Sequence, residues 1–189
     1  MSILTEHLPC ELVICGEKYP IKSDFRIWIK FSQFISSGKR DILELAGIMQ
    51  NVFETLPPSL EETIAAMLLF CSPVKKRNKS EKGETTQKKI YDFDYDAELI
   101  YAAFMQQYRV DLCTQNLHWQ QFKALFDNLT EETQFVKVMQ YRSMDLSKVK
   151  DKEQKKFYRK MKQLYMLPDE RTEEEKRADF ERSFAGMFI

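Results

Sequence analysis

The residues that most constrain the fold lie between positions 91 and 146, where apolar side chains recur at the spacing of three α-helices. The first helix is predicted to follow Asp94 or Asp96, either of which can accept hydrogen bonds from the free N–H groups of a first turn. Its apolar residues share one face because they follow a period of 3.6 residues. They are Leu99, Ile100, Ala103, Phe104 and Tyr108. This face predicts a helix packed on a core.

Two further helices are predicted in the same stretch. Asn116 is the expected cap of the second, and Trp119 widens its apolar stripe. That stripe consists of His118, Phe122, Leu125, Phe126 and Leu129. The third is expected to open at Thr130, with Glu131 and Glu132 complementing the positive end of the helix dipole. Its stripe is Phe135, Val138 and Met139.

Arg142 follows Phe135 by seven residues and therefore falls on the apolar stripe of the third helix. A guanidinium at such a position must reach water or pair with a carboxylate. We expect Asp111 or Asp145 to be that partner, so that neutralising the correct aspartate lowers the melting temperature.

A β-hairpin is predicted near the N-terminus. Residues 11–15 and 18–21 flank Gly16 and Glu17, and a two-residue loop that starts with glycine is typical of a type II′ turn. A lone hairpin is only marginally stable in water, so we expect it to lie on the helices.

Three helices are predicted between the hairpin and residue 74. The first spans 25–35, because a run of this length is too long for a typical strand even though some of its apolar residues alternate. The second spans about 41–54, and its inward residues are Ile42, Leu45, Met49, Val52 and Phe53. The third presents Leu60, Ile64, Met67 and Leu68. The predicted caps are Ser23 or Asp24 for the first helix and a capping box of Ser59 with Glu62 for the third.

Residues 75–89 are rich in lysine and lack aliphatic side chains, which is typical of a flexible basic linker. The chain is therefore predicted to consist of an N-terminal part, 1–74, this linker, and a helical region, 90–189. The two ordered parts are expected to share one core. In all, about eight helices and one hairpin are predicted, which is a mainly α fold.

A basic amphipathic helix is predicted before Pro168, with lysines and an arginine around an apolar stripe. After it, Thr172 is expected to cap a last helix with an acidic first turn. The apolar C-terminal residues need cover from the core or from another protein. The residues predicted to bind a partner are Phe157, Tyr158, Met161, Leu164, Tyr165, Phe184 and Phe188.

Composition excludes several classes of protein. The 29 basic and 29 acidic residues give zero formal net charge, so no overall field attracts nucleic acid or an anionic membrane. No run of about 18 apolar residues occurs, and the N-terminus does not resemble a secretory signal. We therefore expect a cytosolic protein. Its cysteines are expected to be reduced core residues: Cys10, Cys15, Cys71 and Cys113.

The candidate chemical sites are weak. Asp92, Asp94 and Asp96 resemble half of a calcium loop, but Ala97 and Ala103 replace its glycine and glutamate, so we interpret these aspartates as helix caps. The cysteines and the two histidines lack zinc-ligand spacing. No nucleophile elbow or phosphate-binding glycine loop is present. The sequence predicts no catalytic residue, cofactor or metal.

Three motifs carry a resemblance to a known family. The residues concerned are Tyr101, Phe104, Tyr108 and Asp111 in the first motif, His118, Trp119 and Phe122 in the second, and Tyr141 with Arg142 in the third. The N-terminal segment that ends in Asp24, Phe25 and Arg26 is also similar. Together these resemble the tail-assembly chaperone-like family of Gram-positive siphophages, the "gene product fifteen" family, up to about residue 146. The resemblance implies a protein of phage tail morphogenesis and brings no catalytic residues with it.

The function predicted from this resemblance is a non-enzymatic tail assembly protein, acting as a chaperone for tape-measure or tail-tube components in the cytoplasm of the bacterial host. Neither a small-molecule substrate nor a membrane is expected. One alternative is a nucleic-acid-binding protein that uses the lysine-rich linker and the basic helix. Another is a minor structural tail protein.

Overall fold

The computed structural model describes residues 3–38, 41–71 and 89–168, which form an antiparallel hairpin and seven helices. The elements are β1 (Glu11–Ile14), β2 (Glu17–Pro20), α1 (Phe25–Ser37), α2 (Ile42–Val52), α3 (Leu60–Cys71), α4 (Ala97–Tyr108), α5 (Trp119–Asp127), α6 (Gln134–Ser143) and α7 (Lys152–Leu164). The predicted mainly α fold with an N-terminal hairpin is confirmed. The predicted last helix, and all but one residue of the predicted linker, lie outside the described residues. The chain divides into two compact units, Met1–Met139 and Gln140–Ile189.

The hairpin turns one residue earlier than its glycine suggested. Ile14 pairs with Glu17, so the loop is Cys15 and Gly16, with φ angles of 51° and 80°. Positive φ at both positions defines a type I′ turn, and the predicted type II′ turn is wrong. The left-handed conformation of Cys15 is held by its N–H, which donates to Oε2 of Glu62 at 2.7 Å.

This contact also changes the predicted capping box of α3. Ser59 Oγ accepts the Glu62 N–H at 3.3 Å, as predicted, but the Glu62 carboxylate binds the hairpin turn instead of completing the box. The predicted apolar face of α3 is partly wrong, since Leu60 and Leu68 are exposed. The buried residues are Thr63, Met67, Phe70 and Cys71.

We predict that Glu62→Ala lowers the free energy of unfolding by about 1 kcal/mol, because the Cys15 N–H loses its charged acceptor. Glu61→Ala is the matched control, since both glutamates lie in the first turn of α3 and interact alike with its dipole. Urea unfolding of both variants measures the difference. Equal stability of the two variants would show that the hairpin contact contributes nothing.

The core of the first unit is aromatic. Helix α1 buries every third residue, namely Phe25, Trp28, Phe31 and Phe34. This spacing matches a helix face and not the alternation of a strand, which confirms the helix predicted over 25–35. Asp24 caps it, accepting the Arg26 N–H at 2.9 Å.

The start of α2 differs from the prediction in one respect. Asp41 is the N-cap, so α2 begins within one residue of the predicted start, and Leu45, Met49, Val52 and Phe53 are buried as predicted. Ile42 is 74% exposed, so its predicted inward position is wrong. The N-terminal turn of α2 therefore does not contribute this side chain to the core.

The cysteines differ in burial. Cys71 alone is buried, whereas Cys10, Cys15 and Cys113 are exposed, so the prediction of four core cysteines is wrong for three of them. Burial raises the pKa of the Cys71 thiol to about 11, which keeps it protonated at neutral pH.

We predict that a thiol reagent at neutral pH modifies three cysteines of the folded protein and reaches the fourth only after denaturation. Mass spectrometry of the modified protein counts and locates the labels. A Cys71→Ser variant, labelled in denaturant, is the control for assigning the protected thiol. Rapid native labelling of Cys71 would contradict its burial.

Candidate partner-binding surface and the motif residues

Most residues of the family-like motifs serve packing in the first unit. Phe104 of α4 stacks on Phe122 of α5 with ring centroids 5.3 Å apart, and Trp119 stacks on the same ring at 5.9 Å. The Tyr108 hydroxyl donates to the Leu125 carbonyl at 2.9 Å. These contacts join α4 to α5.

Tyr101 and Asp111 form a second link within the first unit. The Asp111 carboxylate accepts the Cys113 N–H at 2.9 Å, which lowers its pKa, and its negative charge raises the pKa of the Tyr101 hydroxyl beside it. Asp111 therefore organises the loop after α4.

His118 is the N-cap of α5, so the predicted cap at Asn116 and the predicted place of His118 on the helix face are wrong. Its Nδ1 accepts the Gln120 N–H at 3.1 Å, and Gln121 closes a capping box. The other ring nitrogen, Nε2, lies 3.0 Å from the Pro9 carbonyl and must donate to it, since a carbonyl only accepts. The imidazole therefore joins α5 to the N-terminal segment.

The caps of α1 and α5 lie side by side. The Trp119 N–H donates to the Ser23 carbonyl at 2.7 Å, and the Phe25 N–H donates to the Leu117 carbonyl at 3.1 Å. From α1, Nη2 of Arg26 reaches the carbonyls of the loop before α5, at 2.6 Å from Leu112, 3.4 Å from Cys113 and 3.2 Å from Gln115. Residues 24–26, which resemble the family, therefore hold the start of α1 against the loop before α5.

Two of the three aspartates before α4 make local side-chain hydrogen bonds, whereas the Asp94 carboxylate accepts the Gln33 side-chain amide of α1 at 2.8 Å. Asp92 Oδ1 accepts the N–H groups of Asp94 and Tyr95, each at 2.8 Å, and Asp96 Oδ2 accepts the Asp92 N–H at 3.0 Å. Asp96 occupies the N-cap position of α4, as predicted, but its carboxylate makes no capping hydrogen bond, so that part of the prediction is wrong. Within the described ranges, no group of three or more His, Cys, Asp or Glu residues could hold a metal ion.

The start of α6 also differs from the prediction. The helix begins at Gln134 and not at Thr130. Buried Thr133 receives the Val136 N–H on Oγ1 at 3.4 Å and donates to the Thr130 carbonyl at 2.8 Å. Residues 130–133 therefore form a turn that leads into the helix.

A cavity of about 140 Å³ lies among aromatic side chains of the first unit. Its lining is Ser32, Cys71, Tyr91, Phe93, Trp119, Phe122, Lys123 and Phe126. The Lys123 ammonium pairs with Asp127 at 2.9 Å, and the Cys71 thiol is protonated at neutral pH. The cavity thus brings together a protonated thiol, a paired cation and aromatic rings.

The predicted partner-binding residues of the basic helix lie on α7, in the second unit. Asp151 caps α7, accepting the Gln154 N–H at 2.7 Å, and no residue of the helix is buried. Phe157 is 50% exposed and Leu164 is 63% exposed, while Tyr158, Met161 and Tyr165 are half-buried. Phe184 and Phe188, also predicted to bind a partner, lie outside the described residues.

Tyr141 of α6 lies at the centre of an aromatic cluster in this unit. Its ring centroid is 6.2 Å from that of Phe157, 6.3 Å from Tyr158 and 6.1 Å from Tyr165, and it stacks on the last of these. Because the rings contact each other, one side of α7 is covered. The edge of α7 that carries Phe157 and Leu164 remains exposed, and we call it the open edge of α7.

Arg142 is buried and lies beside this cluster. Its Nε donates to the Tyr165 carbonyl at 2.5 Å, at the end of α7. The Asp145 carboxylate instead accepts from Ser147, whose hydroxyl and N–H lower the pKa of Asp145. Among the described residues no ion pair joins Arg142 to Asp145, so the prediction is wrong for that aspartate, and Arg142 caps α7.

The polar surface of α7 is basic. Among the described residues, five of its cations form no ion pair. They are Lys152, Lys155, Lys156, Arg159 and Lys160. A sixth, Lys162, donates to the Met144 carbonyl at 2.7 Å.

The fold and these sites define a mainly α-helical protein with an N-terminal hairpin and a basic amphipathic helix in its C-terminal unit. A family model described as bacteriophage Gp15 protein matches residues 4–167. The chain belongs to this family and is a bacteriophage structural or morphogenesis protein. No curated protein and no solved structure matches the chain. None of the described helices is long and apolar enough to cross a membrane.

Proposed function

We propose that the protein is a tail assembly factor without catalytic activity, which binds helical segments of tape-measure or tail-tube proteins in the cytoplasm of the infected bacterium. The observation that carries this proposal is the open edge of α7, where Phe157 and Leu164 are large, apolar and exposed. Exposed apolar side chains are stabilised when another protein covers them. Membership of a phage structural or morphogenesis family supports a role in phage assembly.

Helical geometry makes this edge suitable for a partner helix. Phe157 and Leu164 are seven residues apart and therefore lie almost on one line, about 10 Å apart along the axis. Amphipathic helices recognise each other through residues at such spacing. By covering the apolar stripe of an unassembled tail protein, α7 would keep that protein soluble until the tail polymerises around it.

The first test compares tape-measure protein co-expressed with wild type and with a Phe157→Asp, Leu164→Asp variant. We expect the wild-type chain to co-purify with soluble tape-measure protein and the variant to lose it. An Ile42→Asp, Leu69→Asp variant is the matched control, because both replaced side chains are exposed and lie in the first unit. Equal loss in both variants would contradict a role for α7.

The second test separates a chaperone from a structural protein. Mass spectrometry of purified virions is compared with that of lysate from the same infection. A chaperone is expected to be abundant in lysate and absent from particles. A fixed copy number in the particle would instead make this a minor structural tail protein.

The unpaired cations of α7 favour one second candidate, a nucleic-acid-binding protein. Its affinity for single-stranded DNA would fall steeply between low and physiological salt, because counterions are released on binding. The aromatic side chains support it less, since Tyr141, Tyr158 and Tyr165 contact each other and do not present separate stacking faces. Partner binding that survives physiological salt supports the assembly factor.

A further inference from the structure

Two lysines border the open edge of α7. Phe157, Lys160 and Leu164 follow each other at i, i+3 and i+7, and Lys156 lies one turn before Lys160 on the same side. Both lysines are exposed, and neither pairs with a described acidic residue. The apolar edge is therefore flanked by positive charge.

The opposite border of the apolar stripe is already occupied. Tyr158 and Tyr165 lie against Tyr141, and the Lys162 ammonium donates to the Met144 carbonyl at 2.7 Å. A docking helix thus has access to the Phe157–Leu164 edge together with Lys156 and Lys160. Across the whole of α7 there are six basic residues and one acidic residue, Glu153.

We infer that the segment that binds α7 is an acidic amphipathic helix. Its apolar side chains cover Phe157 and Leu164, and its Asp or Glu residues at the flanking positions face Lys156 and Lys160. Flanking charges of this kind determine which partner binds and in which register, whereas the apolar contact supplies most of the affinity. The inference rests on the proposed function, because it takes α7 as the docking surface.

The experiment uses two synthetic helical peptides with the same leucine stripe, one with glutamate and one with lysine at the flanking positions. Fluorescence anisotropy measures their binding to the full chain. We expect the glutamate peptide to bind roughly tenfold more tightly than the lysine peptide. This preference should shrink as salt is raised, since exposed charges are screened.

Two double variants locate the effect. Lys156→Glu with Lys160→Glu should reverse the preference between the peptides. Lys155→Glu with Arg159→Glu is the matched control, because it changes the net charge equally on the side of the helix opposite Phe157 and Leu164, and it should leave most of the preference intact. Circular dichroism confirms that each variant is folded.

Each outcome has a distinct meaning. Equal affinity for the two peptides, or equal effects of the two double variants, would overturn the acidic partner while leaving α7 as a docking surface. Binding of neither peptide would contradict the docking surface and with it the proposed function. Tighter binding of a thymidine oligonucleotide than of the glutamate peptide would favour nucleic acid. Binding only by a chain shortened to residue 168 would show that the C-terminal segment already occupies the surface.

Discussion

A Phe122→Ala variant is expected to lose about 3–5 kcal/mol of unfolding free energy, the range found when a buried phenylalanine is truncated in a core. Phe122 is 1% exposed. Its ring stacks on Phe25 at 4.7 Å and on Phe104 at 5.3 Å, so it joins α1, α4 and α5. Removal of the ring would leave a cavity between three helices, and these helices cannot move close enough to each other to fill it.

Urea unfolding, followed by circular dichroism, measures this loss. Phe157→Ala is the matched control, because it removes the same side chain from a half-exposed position on α7. We expect its effect on the main unfolding transition to be within about 0.5 kcal/mol. A Phe122→Ala variant as stable as Phe157→Ala would contradict the central position of this ring.

An Arg26→Ala variant is expected to lose about 1.5–3 kcal/mol, because hydrogen bonds from a charged donor are stronger than neutral ones. The guanidinium pairs with Asp24 at 2.8 Å and donates to the loop before α5, with its shortest contact to the Leu112 carbonyl at 2.6 Å. Its removal leaves the loop carbonyls of Leu112, Cys113 and Gln115 without this donor. The main-chain hydrogen bond from the Phe25 N–H to the Leu117 carbonyl still joins α1 to the loop. The loss lies at the low end of the range if water replaces these contacts.

Lys30→Ala is the control for Arg26→Ala, since Lys30 lies one turn later on α1 and is exposed. Arg26→Lys provides a second comparison. A lysine keeps the charge but lacks the planar fork that serves the aspartate and the carbonyls together, so we expect it to restore less than half of the stability. Full restoration by lysine would show that charge alone is sufficient.

The helices predicted best are those whose signals are local. Asp24 and Ser59 accept N–H groups two or three residues away, and α1 and α3 begin directly after these predicted caps. Periodicity also predicted the core-facing residues of α4 and, apart from His118, those of α5. A structural property that depends on residues only a few positions apart can be predicted from the sequence.

The candidate surface was predicted in part. The spacing of Phe157, Tyr158, Met161, Leu164 and Tyr165 predicted an apolar stripe on a basic helix. It did not distinguish the half-buried residues beside Tyr141 from the exposed edge, because the stripe is wider than the contact that covers it. The spacing also did not indicate that the Arg142 side chain would donate a hydrogen bond to a main-chain carbonyl at the end of α7.

Local patterns in the sequence were sufficient to predict the mainly α fold, the hairpin and the starts of α1 to α4, because capping and amphipathicity act over a few residues. The cap of α5 and the turn of the hairpin depend instead on contacts between residues far apart in the chain. His118 reaches Pro9, 109 residues away, and Cys15 reaches Glu62, 47 residues away. Such contacts depend on which distant backbone groups the fold brings within hydrogen-bonding distance, and residue spacing does not encode that.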